Sequence, residues 1–200
     1  MDNLIAYSGA IASIWIFVGV YVASLFYDNY SHSQQFCSEL GAIDSPTQKL
    51  SPLINNYPLG LLFVIFGGHL VTLELASLAT ITIGAMIIAH GLGTWVCGFC
   101  PMDADPYTET PSRSCEIHSW SGMVMLLSLI IAPAVIVFSN SFPLNLRVFS
   151  LICIIGCFVF SYKLALAFKV KKNTGLHQRL SYGFQIIWLF GYSLFVACKN

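Results

Sequence analysis

Residues 57–97, YPLGLLFVIFGGHLVTLELASLATITIGAMIIAHGLGTWVC, decide the fold. A helix that crosses a bilayer needs about 20 mostly apolar residues. This stretch supplies two such segments, 57–74 and 75–97, separated only by a very short turn near Glu74. With so little chain between them the two can only run antiparallel, side by side, as a tight hairpin.

Reading outward from the hairpin gives four more segments of the same kind, at roughly 4–27, 117–139, 147–168 and 181–198. The composition agrees: of 200 residues, 56% are hydrophobic and only 9% charged, with a mean hydropathy of +0.75. A soluble domain carries about 25% charged residues, so the bilayer must act as solvent for much of this chain. The expected fold is all-α, one integral membrane bundle of six transmembrane helices over 1–200. The net charge is zero and no basic stripe is present, which excludes nucleic acid as a partner and leaves membrane lipids. The start, Met1-Asp2-Asn3, lacks the basic region of a signal peptide, so the first apolar segment reads as a retained helix.

Six spans put three connections, 28–56, 98–116 and 169–180, on one face. The Glu74 turn and the Asn140-Ser141-Phe142-Pro143 turn lie on the other, with both chain ends. In the first connection Ser31 with Gln34 fits a capping box and Gly41 a helix C′ position. A short interfacial helix over 32–40 would put His32, Gln35 and Glu39 on one face; the alternative is a solvated loop. Lys49, Arg113, Lys169, Lys171, Lys172 and Arg179 lie on this polar face, and Lys163 one to two turns inside it. Cytoplasmic loops collect Lys and Arg, so this count alone points the polar face inward.

The polar segments hold the groups able to do chemistry. Cys97-Gly-Phe-Cys100 followed by Cys115-Glu-Ile-His118 has the paired spacing of a tetrahedral zinc site. The same Cys97, Cys100 and Cys115, with Cys37, form an even set suited to disulfides in an oxidising compartment. Of the two, a disulfide staple is the stronger expectation. Cys153, Cys157 and Cys198 read as packing residues. His32, Glu39, Asp103 and His118 form a second set, fit to hold a divalent metal or to act as acid and base; the competing reading is that the carboxylates cap helices. His69 and His90 sit inside apolar helices, His90 near enough to the polar face to extend the site inward and His69 as a packed, hydrogen-bonded histidine. Gln178 and Arg179 open the last helix, where the Arg fork suits an anionic headgroup or snorkels at the interface. Ser121-Gly122 reads as a close-packing step, and Tyr182 and Trp95 as part of an aromatic belt. There is no nucleophile elbow, Walker loop or dinucleotide glycine pattern.

Several stretches resemble a known family. Tyr30-Ser31-His32-Ser33-Gln34, Ser38-Glu39-Leu40-Gly41-Ala42 and Asn55-Asn56 are similar to the signature of the "domain of unknown function 998" bacterial membrane proteins. So are Gly98-Phe99-Cys100-Pro101-Met102-Asp103, His118 and Gly175-Leu176-His177-Gln178-Arg179. The resemblance implies six spans in a bacterial plasma membrane, with Ser38, Glu39, Asn56, Asp103, His118, Gln178 and Arg179 converging at one face. It implies that this face points out of the cytoplasm, against the Lys and Arg count. Cys97, Cys100 and Cys115 depart from the family pattern, which favours a local staple over shared chemistry.

The functional expectation has two forms. In one, an enzyme acts on a lipid or lipid-linked substrate, with Glu39, Asp103, His118 and His32 catalytic and Ser38, Asn56, Gln178 and Arg179 binding it. In the other, the same residues bind or move a ligand, or only tie the loops together.

Overall fold

A computed structural model describes residues 2–199, with side chains from Leu4 onward. Met1, part of the start discussed above, lies outside the described residues. The described chain is all helix and turn: α1 (Asp2–Ala6), α2 (Ser8–Ser24), α3 (Tyr57–Thr72), α4 (Leu78–Phe99), α5 (Arg113–Phe138), α6 (Leu144–Val170) and α7 (Thr174–Ala197). Six helices are long and apolar enough to cross a membrane, the first formed by α1 and α2 together and the second by α3 with the turn before it. The chain is an integral membrane protein.

The helices form a closed ring: α2 lies beside α3 and α7, and α3–α4, α4–α5, α5–α6 and α6–α7 pack in sequence. The tightest pair is the α3–α4 hairpin, and glycine is the reason. A Cβ at Gly67 would fall 2.6 Å from the Gly84 carbonyl, and one at Gly84 2.7 Å from the Gly67 carbonyl. Two turns away Gly60 and Gly91 face each other in the same way. Small residues at matching heights let membrane helices approach closely enough for backbone contact.

At the end of the ring away from the polar loops the interior is filled. Phe63, Phe66, Ile83, Ile87, Ile136, Trp188 and Tyr192 are buried there. Trp188 stacks on Tyr192 with ring centres 5.4 Å apart, and its indole donates to the Ser150 hydroxyl at 3.0 Å. Apolar residues also cover the outside, as a helix solvated by lipid requires.

The helices reach further into the polar segments than hydropathy indicates. A π-helical turn over Pro52–Asn56 leads into α3, α5 starts at Arg113 instead of 117, and α7 starts at Thr174 instead of 181. At the head of α5 a side-chain cap sets the end: Ser112 accepts from the Cys115 amide at 3.2 Å. Gln178 and Arg179 therefore sit within the first turns of α7, with Lys171 and Asn173 in the left-handed region at the corner before it.

The helix expected over 32–40 does not form. A turn occupies 31–35 and a 3-10 helix Cys37–Gly41. The carbonyls a helix would consume are used elsewhere. Ser33 and Gln34 accept from the Leu176 and Gly175 amides of α7, and His32 and Gln35 accept from Arg179. Gln35, not Gln34, folds back to the Ser31 amide, at 2.8 Å. Gly41 ends the 3-10 helix without a positive φ, so it is no left-handed C′ residue.

Candidate functional site

At the polar end the ring does not fill. A cavity of about 1020 Å³ opens there, walled by α2 through α7 and roofed by the first loop. Among the residues expected to form a site, it brings together His32, Ser38, Asn56, His118, Gln178 and Arg179, with Cys37 and Cys97. Glu39, Asp103, Cys100 and Cys115 are not in its wall.

The two carboxylates both bond within the chain. Glu39 Oε1 accepts from the Phe36 amide at 2.7 Å, heading the 3-10 helix, and its other oxygen accepts from Gln35 at 3.2 Å. Burial pushes the Glu39 carboxyl above its usual value, against the Phe36 amide, Gln35 and Arg179, which pull it down. Asp103 accepts from the Ser112 amide at 2.8 Å and the Ser112 hydroxyl at 2.6 Å, bracing the cap of α5. Those two bonds hold its carboxyl below the usual carboxylate range.

Arg179 is the centre of the polar end. One of its terminal nitrogens donates to the His32, Gln35 and Gly175 carbonyls at 2.5, 2.8 and 3.1 Å, and the other to the Tyr30 hydroxyl at 2.6 Å. Among the described residues these partners include no carboxylate; Glu39, near enough for its charge to be drawn by Arg179, gives its oxygens to the Phe36 amide and Gln35 instead. The cation needs the loop close, and Gly175 permits this: a Cβ there would collide with the Gln35 carbonyl. The neighbouring Gln178 accepts from the Cys37 amide at 2.8 Å. One turn earlier, Gln34 and Asn173 exchange bonds of 2.7 and 2.9 Å. Burial, then Arg179, lowers the His32 imidazole, and burial raises the Cys37 thiol and the Tyr30 phenol.

Two histidines have their tautomers set by carbonyls, which can only accept. His118 Nδ1 lies 2.8 Å from the Cys100 carbonyl, so Nδ1 carries the proton and Nε2 is left with its lone pair. His90 Nδ1 lies 3.0 Å from the Met125 carbonyl, so Nε2 accepts from the Tyr182 hydroxyl at 3.0 Å. His90 is fully buried and does not reach the cavity itself; Tyr182, in the cavity wall, connects it. His69 differs from expectation: its Nε2 is buried without a hydrogen-bond partner.

The thiols and imidazoles do not converge. All seven cysteines are free, so no disulfide joins Cys37, Cys97, Cys100 or Cys115. Cys97 Sγ points to the His118 carbonyl at 3.5 Å and to Met125 Sδ at 3.8 Å, and Cys115 packs with Ala42 and Met102. Among the described residues no three His, Cys, Asp or Glu side chains are grouped to hold a metal. The donor set proposed from spacing does not fit zinc.

The cavity also holds residues that the sequence reading missed or placed elsewhere: Tyr182, Asn55, Thr94, Gln185, Ser161 and Ser181. A signal existed in α7, where Gln178, Tyr182 and Gln185 follow at i, i+4 and i+7, one face of one helix. Asn55 Oδ1 is buried without a partner, pressed so closely on Gly19 that a Cβ there would collide with it. Gly122, expected at a packing contact, has nothing within 4 Å of its Cβ position, and neither has Gly183; both face the cavity. Apolar wall residues Phe17, Tyr21 and Met123 are 59%, 60% and 45% exposed, so the cavity is not sealed toward the lipid.

A family model described as "Protein of unknown function (DUF998)" matches residues 10–194. No curated protein and no solved structure matches significantly.

Proposed function

We propose, from the premise that this chain belongs to the DUF998 family of proteins of unknown function, that its cavity holds an amphiphilic, lipid-like ligand with an anionic headgroup. The observation that carries this reading is the pairing of a guanidinium bonded to no carboxylate, Arg179, with apolar walls within one space of about 1020 Å³. That volume is at the upper end of the roughly 300–1,000 Å³ of small-molecule sites. The headgroup lies among Arg179, Gln178, Ser38 and His118. The tail runs between Phe17, Val20, Met123 and Leu164 toward the lipid. The polar face is on the outside of a bacterial plasma membrane.

The test fills the cavity without touching its walls. At Gly122 and Gly183 a Cβ meets open space and both positions face the cavity, so Gly122→Leu and Gly183→Leu place side-chain volume where the ligand would sit. Lipids extracted from purified wild type and both variants are identified by mass spectrometry. The expected result is loss of a defined co-purifying lipid with unchanged thermal stability. Wild-type lipid content in both variants would sink the reading.

A second reading, acid–base chemistry on the same ligand, is supported by His118, whose Nε2 lone pair is left free by the Cys100 contact. His118→Gln should then abolish turnover of the bound lipid while leaving its binding intact. Equal turnover in the two proteins would exclude this role.

A further inference from the structure

The first turn of α7 has two sides. Gln178 and Arg179 face the central cavity, but His177, the residue before them, faces a second hollow of about 430 Å³ on the outside of the ring, which meets the cavity at Lys169. That hollow lies at the α6–α7 corner and is lined by Lys163, Leu166, Lys169, Val170, Lys172 and His177, with no Asp or Glu. Three cations without a carboxylate in one groove form a local field of one sign in a chain whose net charge is zero.

The placement of these charges narrows what they suit. Lys169 and Lys172 stand at the end of α6, at the level of the polar loops. Lys163 lies six residues back, about 9 Å deeper at 1.5 Å per residue. Its ammonium sits 5.3 Å above the Phe160 ring. The His177 ring stacks on that same Phe160 with centres 6.4 Å apart. Its Nδ1 is buried without a partner, leaving Nε2 for the groove. Between the lysines the floor is apolar: Leu166 and Val170 are 46% and 71% exposed on the lipid-facing side of α6. A small soluble anion would use the lysines and leave this floor bare. A molecule with an anionic head and a hydrocarbon chain uses both.

We propose that this groove seats one anionic phospholipid, its phosphate among Lys163, Lys169 and Lys172 and its chain along Leu166 and Val170. The groove borders the central cavity and shares Lys169 with it, while Lys163, Leu166, Val170 and Lys172 line the groove alone. Because Asn173 both borders the groove and clips to Gln34, a headgroup here sits against the turn that anchors the cavity's roof.

The test compares retained lipid in nanodiscs of phosphatidylglycerol and phosphatidylcholine, counted by native mass spectrometry. Wild type should retain phosphatidylglycerol with a preference of roughly a hundredfold, at about fivefold for each lysine near an anionic headgroup. The triple variant Lys163→Gln, Lys169→Gln, Lys172→Gln should lose that preference. Lys49→Gln, an exposed lysine on the same face but outside the groove, should keep it. Equal retention of the two lipids by wild type, or an unchanged preference in the triple variant, would overturn the proposal. So would an equal loss in Lys49→Gln, which would mean a diffuse surface effect. Inorganic phosphate that stabilises the lipid-free protein as well as phosphatidylglycerol does would refute the lipid assignment. Because Lys169 also lines the cavity, the double variant Lys163→Gln, Lys172→Gln leaves the cavity wall intact; it should lose most of the preference while keeping its cavity lipid, which shows that it is folded and keeps the two sites distinct.

Discussion

Arg179 does two things with one guanidinium: it closes the first loop onto α7 through three hydrogen bonds, to His32, Gln35 and Tyr30, and brings a positive charge to the cavity. A lysine keeps the charge but cannot span those acceptors, because its ammonium is a point and the guanidinium a planar fork. Arg179→Lys should therefore cost about 2–4 kcal/mol, visible as a lowered thermal midpoint in detergent. A wild-type midpoint would mean the loop is held by Gln34 and Gln178 alone. Asp103 makes a pH prediction. Its folded carboxyl is held below the usual value by Ser112, so its stabilising effect is complete above the unfolded value of about 3.9. It is lost as pH falls through the lower folded value. The stability gap between wild type and Asp103→Asn should be constant near neutral pH and close in acid, below about pH 4; a gap that widens there would contradict the assignment. Residue type was legible in the sequence, but role was not. Glu39 and Asp103 each share a polar segment with one histidine, His32 or His118, and nothing in that pattern announces their bonds to the Phe36 and Ser112 amides.

At the scale of elements, the six spans followed from hydropathy because a continuous apolar run of about 20 residues in lipid satisfies its own backbone only as a helix. Their ends did not follow, because Ser112, Asn173 and the Pro52–Asn56 turn extend helices into polar sequence where hydropathy is silent. The segment at 31–41 shows the same limit from the other side. Its local pattern fits a helix, but its carbonyls are claimed by α7, some 140 residues away in sequence. The α3–α4 hairpin rests on Gly60, Gly67, Gly84 and Gly91. Gly84→Val should force the pair apart and cost about 1–3 kcal/mol as overpacking. The same substitution at Gly68, where the Cβ position is open, should cost less. Equal thermal midpoints for the two variants would show that the hairpin tolerates separation.

At the scale of the whole molecule, the polar end is a container and the far end is its solid base. That division was partly legible: His32, Ser38, Asn56, His118, Gln178 and Arg179 were named from sequence and do share one cavity. The walls were not legible, because an empty volume is a property of how far helices diverge and no residue type announces it. Outward orientation makes a direct prediction. Glu109 is exposed on the 100–112 loop, so Glu109→Cys in intact cells should react with a membrane-impermeant maleimide. Labelling only after lysis would place this face in the cytoplasm. The free thiols have a further use. Cys37 and Cys97 border the cavity, and Cys198 is exposed at the opposite end of the ring. The molecule thus contains its own footprinting reagent and its own reference. A small alkylating agent reports occupancy as protection of Cys97 relative to Cys198, in the native sequence and without knowledge of what the occupant is.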